Sequence, residues 1–161
     1  MIMTISIDIS IKRQQLTLNS PDRSFVYPIS SALKGVGQKH ESGCTPLGQH
    51  IVRAKIGADL PLNAVLVGRR YTGEIYTAAL AKAQPDRDWI LSRILWLSGC
   101  ELGVNRLYDV DTMRRFIYIH GTPDTEPMGI PKSHGCIRMR NEDIVELFDL
   151  CAYGTSVYIH K

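Results

Sequence analysis

Phe116-Ile117-Tyr118-Ile119-His120-Gly121-Thr122-Pro123 and, after a short connection, Ser133-His134-Gly135-Cys136-Ile137-Arg138 decide how this chain reads. The first four residues form an uninterrupted apolar run of β-formers, which predicts a short buried strand delivering His120 at its end. Cys136 follows sixteen residues later, far enough for a loop to fold back and set sulfur beside imidazole. Pro123, Pro127 and Pro131 stiffen that loop and reduce the entropy lost in fixing it. A free thiol has a pKa near 8.5 and is mostly protonated at neutral pH, so a nearby imidazole supplies its activation. Attack by sulfur also needs donors for the oxyanion it creates. Gly135 carries no Cβ, so amides around Cys136 can approach a ligand and form that anion hole.

Outward from this centre the chain reads as mostly β. Alternating or β-rich runs lie at 2–9, 13–18, 24–29 and 50–56, with Ile5, Ile7 and Ile9 alternating against Ser6 and Asp8. Turn chemistry separates them, as in Asn19-Ser20-Pro21-Asp22 and Leu33-Lys34-Gly35-Val36-Gly37. The stretch 58–88 reads as loop, Ala-rich around 78–83, and 89–98 as a strand before Gly99. The clearest helix spans about 142–152, where Ile144, Val145, Leu147, Phe148 and Cys151 share one face. Asn141 is its expected N-cap, and Glu142 and Asp143 suit the positive helix end. Gly154 then precedes a closing strand at 155–159. The expectation is one domain over 1–161, α+β but mostly β, with one or two short helices.

Of 161 residues, 44% are hydrophobic and 22% charged, close to a globular average, which argues against disorder, collagen-like sequence and a coiled coil. A chain of this length buries enough surface to fold without a disulfide or metal staple. The net charge is +3 and the basic residues are scattered, so no nucleic-acid tail is visible. The longest apolar stretch, 89–97, is broken by Arg93, so no membrane span is expected. The opening MIMTISIDI lacks the charged start and apolar run of a secretory signal. The four cysteines (44, 100, 136, 151) do not make a dense secreted framework. Together these predict a cytoplasmic protein with reduced thiols.

Ile-His-Gly followed by Ser-His-Gly-Cys-x-Arg resembles the L,D-transpeptidase catalytic domain, the YkuD-like family. Thr45-Pro46-Leu47-Gly48 is similar to the family's Thr-Pro-x-Gly segment, although His50 stands where an aromatic is common. The helix start at Asn141-Glu142-Asp143 and the strand after Gly154 also match. The likeness is strong over 113–159, fair over 1–56 and weak between. It implies a β-sandwich-like domain, no cofactor, and an acyl-enzyme mechanism on peptidoglycan stem peptides. By its pattern Cys136 is the nucleophile, His120 the general base and acid, and the Gly121 carbonyl orients the imidazole. The amides of Gly135 and Cys136, with His134, would hold the oxyanion, and Arg138 and Ser133 would meet substrate. The resemblance also implies that carbapenems acylate Cys136. With cytoplasmic location, the expected role is an L,D-carboxypeptidase trimming D-alanine from tetrapeptide muropeptides in murein recycling.

Other readings of the same residues compete. The same acylation serves an L,D-transpeptidase that crosslinks or exchanges D-amino acids. An inactive peptidoglycan-binding domain would lose Cys136 or His120, and both are present. Zinc held by His120, His134 and Cys136 would need His-x-Cys, a poor ligand spacing. Ser133 also reads as a loop hydrogen-bonder and Arg138 as a loop brace. Cys44, Cys100 and Cys151 read as packing residues.

Overall fold

The computed structural model describes residues 4–161. Ten strands and two helices follow in chain order: β1 (Ser6–Ser10), β2 (Gln15–Asn19), β3 (Ser24–Pro28), β4 (Gly48–Ile56), β5 (Ala64–Val67), β6 (Arg70–Ile75), α1 (Ala78–Ala83), β7 (Ile90–Gly99), β8 (Tyr118–Thr122), β9 (Ile137–Arg140), α2 (Asn141–Leu150) and β10 (Ser156–His160). All ten strands belong to one hydrogen-bonded sheet, ordered β3-β2-β1-β10-β4-β7-β5-β6, with β8 branching from β7 and β9 pairing β8. Among the described strands only β1–β10 and β8–β9 run parallel. The expected first strand begins later than read, at Ser6, and its Ile2 and Met3 lie outside the described residues.

Alternation explains the outer strands. Ile7, Ile9, Leu16 and Leu18 point into one core with Val157 and Ile159, while their neighbours face outward. β7 is the hub, because it pairs β4, β5 and β8. At Ser92, with φ 69°, its register against β8 shifts. β4 and β5 share one edge of β7 and β8 takes the other, since Leu91 pairs with both Val65 and Gly121 and Trp96 with both Ala54 and Tyr118. α2 packs on β7, β8 and β9 through Ile144, Leu147 and Phe148, the stripe its periodicity predicts.

Four sequence expectations change. The stretch 58–88 is not loop but the β5–β6 hairpin and α1; its turn, Gly68-Arg69, has φ of 54° and 64° and lacks the Asn-Gly signal of such turns. The apolar run 116–119 does not define the strand. β8 starts at Tyr118 and continues through Thr122, so His120 sits at its middle, and Phe116 is half exposed with φ 56°. Asn141 does not cap α2, since Arg140 holds the cap position without a side-chain bond. Asn141 is buried instead and accepts from the Ser92 hydroxyl while donating to Asn63 and to the Thr122 carbonyl. A buried amide tying three segments together outweighs the weaker demand of a helix end. Finally, Cys100 is exposed, whereas Cys151 packs in the core.

Candidate active site

The site grows from the β8–β9 register. Ile119 pairs with Ile137 and His120 with Arg138, side by side in parallel. Side chains alternate along a strand, so Ile119, Ile137 and Met139 fall on the face of the main core. Tyr118, His120 and Arg138 fall on the other. Cys136 joins this second face: it packs with Tyr118, Leu66 and Ile94 in a separate apolar cluster. Its Sγ receives the Tyr118 N–H at 3.3 Å and faces the Phe116 carbonyl at 3.4 Å. Sulfur and imidazole are thus brought to one side of one strand pair.

His120 is almost fully buried, and its Nδ1 lies 2.7 Å from the Gly121 carbonyl oxygen. A carbonyl only accepts, so Nδ1 carries the hydrogen and Nε2 presents its lone pair. Among the described residues Nε2 has no hydrogen-bond partner. Burial pushes the imidazole below its ordinary value, against the Gly121 carbonyl and Asp88. Burial also pushes the Cys136 thiol up to about 12, more than the Tyr118 N–H, Arg138 and Arg115 offset. The pair therefore rests as neutral thiol and neutral imidazole rather than as an ion pair. Such a pair can still transfer a proton as a bond forms at sulfur.

The glycines are required by packing. A Cβ on Gly121 would collide with the Leu91 carbonyl oxygen and with Asn141 Oδ1, so only glycine lets β8 approach β7 and α2 this closely. Gly135 has φ 138°, a conformation that side chains avoid. Its amide does not point into an open hole, because it donates to Ser133 Oγ at 3.2 Å. Among the described residues the amides of His134 and Cys136 meet no acceptor, so the donors available to an oxyanion are these two rather than Gly135. Ser133, expected to touch substrate, is buried and donates its hydroxyl to the Cys136 carbonyl at 2.5 Å. It shapes the turn.

Arg138 also departs from expectation. Its guanidinium lies 3.2 Å from Asp88 and 3.5 Å from Glu126 and donates to the Lys132 carbonyl. With two carboxylates against it, the charge is already satisfied and braces the loop. Asp88, which no sequence pattern marks, also lies 3.4 Å from the exposed His134 ring. Burial favours its neutral acid, but His120, Arg138 and His134 outweigh that and hold the carboxyl below its usual range. Asp88, Glu126, His134 and Arg138 line a cleft of about 230 Å3 together with Asp86, Arg87, Trp89, Thr122 and Pro123, beside but not including Cys136 and His120.

The upstream motif is part of the same construction. Thr45, fully buried, accepts from the Ala32 N–H at 3.0 Å and donates to the Gly135 carbonyl at 2.9 Å. His50 is no cleft wall: it is fully buried in β4, bonded to the Gly48 carbonyl and the Thr112 hydroxyl. Tyr118 is buried beside the sulfur, while Tyr108 is exposed.

Comparison with known proteins agrees with this architecture. The profile of the YkuD family, the L,D-transpeptidase catalytic domain, matches residues 4–159. The Fuscovulum blasticum protein named "Putative L,D-transpeptidase in ATP synthase subunits region ORF 5" is 54% identical over 41 residues, 26% of this chain and 22% of its own. "Probable L,D-transpeptidase YbiS" of Escherichia coli (strain K12) is 43% identical over 56 residues, 35% of this chain and 17% of its own. The matched segments thus span about a fifth of these relatives. Among solved structures, L,D-transpeptidase 3 from Mycobacterium tuberculosis in complex with a faropenem-derived adduct superposes with TM-score 0.59 at 16% identity, covering 98% of this chain and 60% of that one. At that identity the likeness is one of fold.

Proposed function

The chain belongs to the L,D-transpeptidase catalytic-domain family, and on that premise we propose that it is a cysteine-dependent acyl-transfer enzyme of peptidoglycan stem peptides, acting as an L,D-carboxypeptidase that removes terminal D-alanine from tetrapeptide muropeptides in the cytoplasm. The observation that carries this reading is the shared face of Cys136 and His120, with the imidazole pinned through Nδ1 so that Nε2 is its free base.

This reading implies the following steps. Cys136 Sγ attacks the carbonyl carbon of the residue before D-alanine while its proton passes to His120 Nε2. Because burial raises the thiol to about 12 and lowers the imidazole, transfer accompanies attack instead of preceding it. The amides of Cys136 and His134 receive the oxyanion. When the tetrahedral species collapses, the C–N bond breaks and His120 returns the proton to the departing amine. A water deprotonated by His120 then attacks the thioester, the C–S bond breaks, and the thiol is re-formed.

The test is incubation with a disaccharide-tetrapeptide, with and without an added D-amino acid, read by mass spectrometry. Loss of one alanine in both arms is the expected result. A product carrying the added amino acid would make the enzyme an exchanging transpeptidase, and an unchanged substrate would remove both activities.

A further inference from the structure

Arg69 stands apart from the other cations near the site. It occupies the second position of the two-residue β5–β6 turn, with φ 64°, where a side chain other than glycine or asparagine is unfavourable. Its guanidinium lies 4.8 Å over the Trp96 ring and 4.9 Å over the Phe116 ring, and donates to the Tyr118 hydroxyl at 2.9 Å. Phe116 and Tyr118 are the two residues whose backbone atoms hold the Cys136 sulfur. The half-buried guanidinium is therefore fixed beside the residues that position the thiol. Among the described residues it has no carboxylate partner, whereas Arg87 pairs with Glu74 and Arg138 with Asp88 and Glu126, and Arg115, also without a carboxylate, spends its guanidinium on the Gly37, Gln38 and Cys44 carbonyls and the Ser42 hydroxyl. Apart from the bond to Tyr118, its N–H groups meet no acceptor among the described residues.

We propose that Arg69 receives the terminal carboxylate of the D-amino acid that leaves, and so makes the site act at the end of a stem peptide. This assignment rests on the carboxypeptidase reading above. Stacking on two rings holds the guanidinium plane, and a held fork matches a carboxylate bidentately. The terminal carboxylate lies only one residue, about 3.5 Å of chain, beyond the bond that is cut. Charge decides the direction. In the cleft beside Arg138 the cations are already engaged, Arg138 by Asp88 and Glu126 and Arg87 by Glu74, whereas Arg69 offers a cation with no carboxylate partner among the described residues.

The experiment compares an N-acetylated tetrapeptide with its C-terminal carboxamide, as kcat/KM for wild type, Arg69→Gln and Arg69→Lys. The wild type should prefer the free acid by on the order of 10–100-fold, the worth of a charge-assisted bidentate contact. In Arg69→Gln that preference should collapse to within about threefold, the loss appearing chiefly in KM, with Arg69→Lys between, because it keeps the charge and loses the fork. An undiminished acid-over-amide ratio in Arg69→Gln, including a uniform loss on both substrates, would show that Arg69 only packs the aromatic residues and overturns the assignment. A wild type that cuts acid and amide equally would overturn it too while leaving acyl transfer by Cys136 intact. A wild type that releases alanine from neither would remove the underlying carboxypeptidase reading itself.

Discussion

Thr45→Val is the substitution in which structure and rate are most tightly linked. Valine has nearly the shape of threonine, so the change deletes one hydroxyl and little volume. That hydroxyl bridges the Ala32 N–H and the Gly135 carbonyl, 3.0 and 2.9 Å away in a fully buried setting. Removing it leaves one donor and one acceptor dry. At about 1–3 kcal/mol for each orphaned group the loss is about 2–6 kcal/mol, a large share of the 5–15 kcal/mol typical of a domain. The cheapest relief is for the 133–136 turn to shift toward another donor, which moves the Cys136 sulfur. A displacement near 1 Å costs on the order of 10² in rate. Urea unfolding followed by the fluorescence of Trp89 and Trp96 gives the stability. Acylation by a carbapenem, timed by mass spectrometry in buffer without urea, gives the rate. Thr45→Ser keeps the hydroxyl and should lose no more than about 1.5 kcal/mol for its methyl group, with acylation close to wild type. A valine variant within 0.5 kcal/mol of wild type that acylates at the wild-type rate would refute the claim that this threonine holds the turn.

Cys136→Ala should abolish alanine release and carry no carbapenem adduct, and His120→Ala should lower turnover by on the order of 10³ or more; His120→Ala running at the wild-type rate would strip the histidine of its role. The pH profile of kcat/KM should fall on the acid side with a midpoint below 6.5, since burial holds the His120 base down, and should stay level from pH 7 to 9 because the thiol titrates near 12. A bell with an alkaline limb near pH 8 would instead indicate a preformed thiolate–imidazolium pair. His50 links acidity to stability: burial lowers it from 6.5 to about 4, so the unfolded chain binds its proton first as pH falls. Its contribution is whole above pH 6.5 and is lost between 6.5 and 4, amounting to about 2 kcal/mol between pH 7.5 and 5. His120 acts in the same direction, so the measurement is the difference in pH slope between wild type and His50→Gln in urea unfolding, and equal slopes would contradict a buried, neutral His50.

Local pattern made the outer strands legible because alternation of Ile7, Ile9, Leu16 and Leu18 with polar neighbours is a direct record of a half-buried sheet. The stripe on α2 was legible for the same reason. The β5–β6 hairpin was not, since β6 is an exposed edge strand with little apolar signal and its turn is Gly68-Arg69. Nor was the start of β8, where apolar residues run on both sides of Tyr118 and period cannot distinguish strand from approach. Asn141 at a helix start reads as a cap from sequence, and only the arrival of Ser92, Asn63 and Thr122 around it shows why it is buried.

The residue types at 120–121 and 133–138 carried the chemistry by themselves: an imidazole, a thiol and a glycine in the turn before it need no neighbours to be recognised as potential partners in acyl transfer. What those types could not express is who spends each group. The Ser133 hydroxyl, the Gly135 amide and the Arg138 charge are consumed by Cys136, Ser133, Asp88 and Glu126, while Arg69, from a distant hairpin, lies over Trp96 and Phe116 without a carboxylate partner among the described residues. Partnership depends on which segments the sheet brings within about 3 Å. That distance is set by register and packing across the fold, not by neighbours in the chain.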